Sequence, residues 1–113
     1  MSLAPDLHRD EITDRIADLI AELGDTPNGI AHRLAEAGIT GFRADATCCP
    51  IANYLLCAEP LLVSVAVLGN AIDFSTASGE DGSVVAPDEV EEFVSLFDTE
   101  RFPHLITRTE VTF

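Results

Sequence analysis

Residues 47–68, TCCPIANYLLCAEPLLVSVAVL, hold all three cysteines, the single tyrosine and the longest largely apolar run, with one charged residue, Glu59. A segment this poor in charge belongs inside a fold, so the rest of the chain must supply what packs against it. Pro50 suits the first turn of a helix, with Cys48 and Cys49 as its cap region. Ile51, Tyr54 and Leu55 then fall on one face at i, i+3 and i+4, and Glu59-Pro60 stops the helix. Residues 61–68 carry β-branched side chains at 63, 65 and 67 and are apolar on both faces except at Ser64. That pattern predicts a strand covered on both sides, or central in its sheet. Gly69-Asn70 predicts a two-residue hairpin turn, and residues 71–75 return with Ile72 and Phe74 inward and Asp73 outward.

The flanking segments read as its cover. Over residues 6–23, Ile12, Ile16, Leu19, Ile20 and Leu23 form one stripe at the helical period. Asp10, Asp14, Asp18 and Glu22 form an i, i+4 row of like charge beside it, which costs an isolated helix a few tenths of a kcal/mol per pair, roughly. Gly24 ends this helix. Thr26-Pro27 opens the next as N-cap and first helical residue, and Gly38 is placed as its C′ stop. Residues 39–46 read as a connector, with Ile39 and Phe42 turned to the core and Arg43 spaced to pair with Asp45. Residues 76–83 read as a flexible polar loop and 83–86 as a short third strand. Pro87 opens a last helix with Val90, Phe93, Val94 and Phe97 inward and Asp88, Glu89, Glu91 and Glu92 in its first turns, where acids favour the helix dipole. Residues 101–104 read as a turn. Residues 105–113 have β-type composition, suited to an edge strand, a docking strand or a loose tail.

The expected fold class is α+β: an N-terminal helical hairpin, a short Cys-bearing helix, a small antiparallel sheet of two to four strands and a C-terminal helix. At 113 residues the chain suits a single domain over 1–113 with one modest core, and residues 1–5 and 107–113 as loose termini.

Charge narrows the function classes. Twenty acidic residues stand against six arginines and no lysine, a formal net charge of −14. Lysine codons are AT-rich, so zero lysine beside fourteen alanines points to a GC-rich coding genome. A surface this negative argues against contact with nucleic-acid phosphates or an anionic membrane and favours a basic partner. The second helix offers Arg33 and His32 against Glu36, too little positive charge for a DNA-reading helix-turn-helix. No apolar run reaches the roughly 18 residues of a membrane span, and no export signal precedes residue 12. A cytoplasmic protein is the expectation.

Cys48-Cys49-Pro50, with Cys57, is the chemically suggestive feature. A thiol at a helix N-terminus gains from the dipole, which would lower the pKa of Cys49 and activate it. Cys57 lies about 12 Å further along the same helix at 1.5 Å per residue, too far to bridge to Cys49. Free cysteines of an intracellular chain also serve as small buried hydrophobes. Neither the cysteines nor His8, His32 and His104 have metal-motif spacing, so no metal and no cofactor is expected. No phosphate loop, nucleophile elbow or H-E-x-x-H is present, and an enzyme is not the leading expectation.

Cys49-Pro50-Ile51-Ala52-Asn53-Tyr54-Leu55, then a Val-rich strand and a last helix running into Phe97-Asp98 and Phe102-Pro103-His104-Leu105, carry a resemblance. The chain resembles a type of small actinobacterial and actinophage protein with a C-P-x-A-x-Y-L element after a paired-helix start. The likeness spans residues 12–106. It implies a source that agrees with the lysine-free composition, and it carries over no activity.

The leading expectation is a non-enzymatic, acidic protein-interaction or regulatory module. Its partner is another protein, basic in character, met through Asp10, Asp14, Asp18 and Glu22 or through Glu89, Glu91 and Glu92, with homo-oligomers open. A reactive-thiol or redox protein using Cys49, with Cys48 and Cys57 as further thiol candidates, is the alternative. An anti-repressor or nucleic-acid mimic stands below it.

Overall fold

The computed structural model describes residues 9–107, and the side chains from Glu11 onward. The elements run α1 (Arg9–Leu23), α2 (Pro27–Glu36), α3 (Pro50–Ala58), β1 (Leu62–Leu68), β2 (Ala71–Thr76), β3 (Asp81–Val85) and α4 (Asp88–Asp98), then a 3-10 turn at Pro103–Leu105. Four helices and a three-stranded antiparallel sheet make the chain α+β.

Local chemistry sets most of the helix ends. The Thr26 hydroxyl accepts the Gly29 N–H at 3.0 Å ahead of Pro27. Gly38 (φ 73°) follows the C-cap Ala37, with the Ile39 N–H donating to Leu34 O and the Gly38 N–H to Ala35 O. That pair of bonds is a Schellman stop, which needs a left-handed residue there. Thr99 closes α4 by donating its hydroxyl to Ser95 O and Leu96 O.

The sheet is a meander in the order β1-β2-β3. The expected central strand is therefore an edge: β2 lies in the middle, and β1 pairs on one side alone. Its two apolar faces are not equivalent. Leu62, Val65 and Val67 are buried, whereas Val63 and Leu68 are 58% and 50% exposed. A bulge between Leu62 and Ser64 accounts for Val63, because the ladder passes from Leu62↔Thr76 to Ser64↔Ser75 and leaves it out of register. The free edge of β1 is met in part by the connector, whose Ala46 carbonyl accepts the Val67 N–H at 2.9 Å.

The loop expected over residues 76–83 is also shorter and tighter. Thr76 belongs to β2 and is buried. Its N–H donates to Glu80 O and its hydroxyl accepts the Glu80 N–H at 3.1 Å, so the β2–β3 connection is a closed turn. The third strand begins at Asp81 rather than Ser83.

Helices cover one face of this sheet, α3 against β1 and α1 against β3, while α2 packs on α4 and on the 3-10 turn. A contiguous core runs from Ile12, Ile16, Ile20 and Leu23 through Leu34, Ile51 and Leu55 to Ile72, Phe74, Phe93, Phe97 and Leu105. Phe102, expected in a turn, is buried and stacks on Phe93 with centroids 5.3 Å apart. Phe42, expected in the core, is 41% exposed. Past the 3-10 turn, Ile106 forms a parallel bridge with Gly41. The expected strand over 105–113 thus begins as a single bridge, and 108–113 lie outside the described residues.

Candidate functional site

The connector before α3 is the structural hub of the cysteine region. Cys49 is the N-cap of α3, and its Sγ accepts the Ala52 N–H at 3.5 Å. Asn53, one turn into the helix, donates from Nδ2 to Thr40 O at 2.8 Å and to Cys48 O at 3.2 Å. Cys48 O also accepts the Phe42 N–H at 2.8 Å. Gly41 lies so close to this turn that a Cβ on it would stand 2.4 Å from Pro50 N and 2.5 Å from Cys48 O. From the other side, the Gly41 N–H donates to Leu105 O and the Thr107 N–H donates to Gly41 O. One glycine therefore joins the helix start to the end of the described chain.

Beside this hub lies a cleft of about 460 Å³ between the connector, the end of β1 and α4, lined by Asp45, Cys49, Val67, Glu91, Ser95 and Asp98 among others. Two of its three carboxylates hold the connector. Asp45 accepts the Thr47 hydroxyl at 2.9 Å and the Thr47 N–H at 3.1 Å, and these bonds, the hydroxyl first, hold its carboxyl below the ordinary range. Asp98 Oδ1 accepts the Ala44 N–H at 2.9 Å. That bond fixes Ala44 at φ 55°, a left-handed conformation that a non-glycine residue adopts at a cost. Arg43 pairs with Glu100 at 3.0 Å rather than with the expected Asp45, because Asp45 is turned to Thr47.

The thiols differ sharply in setting. Cys49 is 3% exposed, Cys48 half-buried and Cys57 exposed, and all three are free. Burial pushes the Cys49 thiol up from its ordinary value, outweighing the N–H groups of Ala52 and Ile51. The direction is opposite to the one expected from a helix N-terminus alone, because desolvation of the thiolate exceeds what the first-turn amides return. Among the described residues no group of three His, Cys, Asp or Glu side chains is placed to hold a metal ion.

Asp14, Asp18 and Glu22 are exposed on α1, with no basic partner among the described residues; the Asp10 side chain lies outside them. On α4, Glu91 and Glu92 are exposed and Glu89 half-buried. The structure does not bring the α1 and α4 sets into one site. Sequence reasoning passed over Glu59 as a functional group, yet it is the one buried carboxylate among the described residues. It accepts Arg15 Nη1 at 2.6 Å and the Leu61 N–H at 3.0 Å.

No family model, curated protein or solved structure matches this chain. Among the described residues no helix is long and apolar enough to cross a membrane.

Proposed function

We propose that the protein is a non-enzymatic, acidic interaction module whose partner is a basic protein. The observation that carries this reading is the placement of charge. Residues 44–100 contain eleven acidic and no basic side chains, and they supply α3, the whole sheet and α4. Like charges concentrated on one small fold raise its self-repulsion, and a partner of opposite sign relieves it and is steered toward it. Two of the cleft carboxylates are engaged in holding the backbone, which favours a structural role for them over acid–base chemistry. Asp14, Asp18 and Glu22 of α1 and Glu91 and Glu92 of α4 are exposed and have no such local duty, and they are the groups proposed to meet a partner.

The thiol reading remains the second one, on the single ground that Cys49 lines the cleft. Its raised pKa weighs against a nucleophile at neutral pH.

Affinity capture with the tagged protein tests the first reading. The bait is incubated with lysate of its source organism, eluted by a salt step and compared with an equally acidic unrelated domain. One basic partner at near-stoichiometric yield, absent from the control, supports the module. A capture profile indistinguishable from the control removes it.

A further inference from the structure

The cleft between the connector, the hairpin end of β1 and α4 is a groove with an apolar wall and an acidic rim. Ala46, Val67 and Val94 with the buried Cys49 make the wall, and every charged group that lines it is an acid: Asp45, Glu91 and Asp98. Its volume of about 460 Å³ lies within the roughly 300–1,000 Å³ of sites that take a ligand. Glu91 and Asp98 are seven residues apart on α4, so they share one face about 10 Å apart along the axis, with Val94 between them.

The two ends of the groove differ. At the Asp98 end a cation is already in place: Arg43 Nη1 stands 3.0 Å from the Glu100 carboxylate and 3.5 Å from the Asp98 carbonyl oxygen. At the other end Glu91 is exposed and has no basic partner among the described residues. Its carboxylate reaches toward the β1–β2 turn, with Oε2 3.8 Å from where a Cβ on Gly69 would stand. Asp45 and Asp98 hold the connector through Oδ1. After burial, their charges also act to raise the Cys49 thiol, so the negative potential extends to the floor of the groove.

We propose that this groove takes an arginine side chain of the basic partner, with its methylene stem on Val67 and Val94 and its guanidinium on Glu91. The assignment rests on the interaction-module reading and names the anchor of that contact. Charge selects a cation, because an anion would meet three carboxylates and a neutral side chain would leave Glu91 without a counter-charge. The wall selects arginine over lysine. A guanidinium is more weakly hydrated than an ammonium and gives up water to an apolar wall more readily, and its planar fork matches both oxygens of a carboxylate. An arginine seated in a pocket is also a common energetic centre of a protein interface. A second copy of the chain is disfavoured, since it brings a net charge of −14 against −14.

The test titrates the full chain with Nα-acetylarginine amide at constant ionic strength and follows amide shifts in ¹⁵N spectra. Nα-acetylcitrulline amide, which keeps the shape without the charge, and Nα-acetyllysine amide are the comparisons. The expected result is saturable shifts concentrated in residues 44–49, 67–69 and 91–98 with the arginine compound. The lysine compound should bind at least threefold more weakly and the citrulline compound should give no saturable shift. Glu91→Gln should weaken arginine binding at least threefold. Asp25→Asn removes the same charge from an exposed position outside the groove and should leave binding unchanged. Both residues are exposed, so the variants are expected to keep the wild-type spectrum elsewhere. Shifts spread over the acidic surface, equal binding of the citrulline or lysine compound, or equal losses in the two variants overturn the assignment. So do contacts to Val67 and Val94 in the free protein from residues 108–113 or from a second copy. The titration needs no partner, so if the captured partner still binds in any of those cases, the module reading stands and this site alone falls.

Discussion

Arg15 and Glu59 lie forty-four residues apart in the chain and 2.6 Å apart in space, joining α1 to the end of α3. The Glu59 side chain is 4% exposed and the Arg15 side chain 53%, so the pair is a buried carboxylate closed by a half-exposed guanidinium. Burial raises the Glu59 pKa, but the Leu61 N–H and then Arg15 outweigh it, and the net direction is down from the ordinary 4.5. Removing Arg15 leaves a buried acceptor short of a donor, while Glu59→Gln keeps the acceptor for Leu61 without the charge. Arg15→Ala should cost about 1–2 kcal/mol in urea unfolding, below the usual loss for a fully buried pair because Arg15 is half in water.

The same pair gives a pH dependence with a definite sign. A carboxyl held below its ordinary value contributes stability that is present above pH 4.5 and lost as the pH falls through the folded value. Urea midpoints measured from pH 6 downward should fall more steeply for wild type than for Glu59→Gln. Parallel acid limbs would mean that Glu59 is not held low.

Gly41 should tolerate no side chain. A Cβ there meets Pro50 N, Cys48 O and Cys49 C at 2.4–2.6 Å, and all three are backbone atoms that cannot rotate away. Gly41→Ala should cost about 3 kcal/mol or more, at the upper end of overpacking penalties. Gly38→Ala has open space within 4 Å and pays for its φ of 73° alone, roughly 1 kcal/mol. Comparable losses at the two sites would contradict the close approach.

Ala44 gives a gain instead. It is held at φ 55° by the Asp98 carboxylate, so Ala44→Gly should relieve strain and stabilise the fold by about 0.5–1 kcal/mol, even after the entropy glycine adds to the unfolded chain. Calorimetry on the two proteins decides it by the sign of the change in Tm.

Thiol labelling of the folded protein should be ordered by exposure: Cys57 first, Cys48 next, Cys49 last. Burial favours the protonated Cys49, whose stabilising effect persists below its ordinary 9.0 and is lost as the pH rises beyond it. Mass spectrometry of partial modification at pH 7 identifies the order. Labelling of Cys49 ahead of Cys57 would restore the nucleophile reading.

What the sequence made legible was local. Thr26-Pro27, Gly38 and Gly69-Asn70 are short signals with short consequences, and the isoleucine stripe of α1 shows its period within one element. What it concealed depended on contacts between distant segments. Val63, Val65 and Val67 look equivalent in a row, and nothing nearby announces the bulge that turns Val63 outward. The chain does not reveal that β2 will take the middle of the sheet, since that follows from β3 returning beside β2 rather than β1. Gly41 gave no warning because its constraint is the backbone of Pro50, and Glu59 none because its partner is Arg15. The cysteines were legible as a group and misjudged in one respect. Position at a helix start was visible in the sequence, while the burial that reverses its effect was not.

We propose recognition of a basic partner through the anionic surface of the protein. Its most direct test is the association rate constant with the captured partner, measured by stopped-flow from 25 to 500 mM salt, with Glu91→Arg/Glu92→Arg beside the wild type. Electrostatic steering predicts a wild-type rate that falls at least tenfold across that range, a double variant that associates more slowly at low salt, and convergence of the two at high salt. A wild-type rate that does not change with salt would contradict the claim.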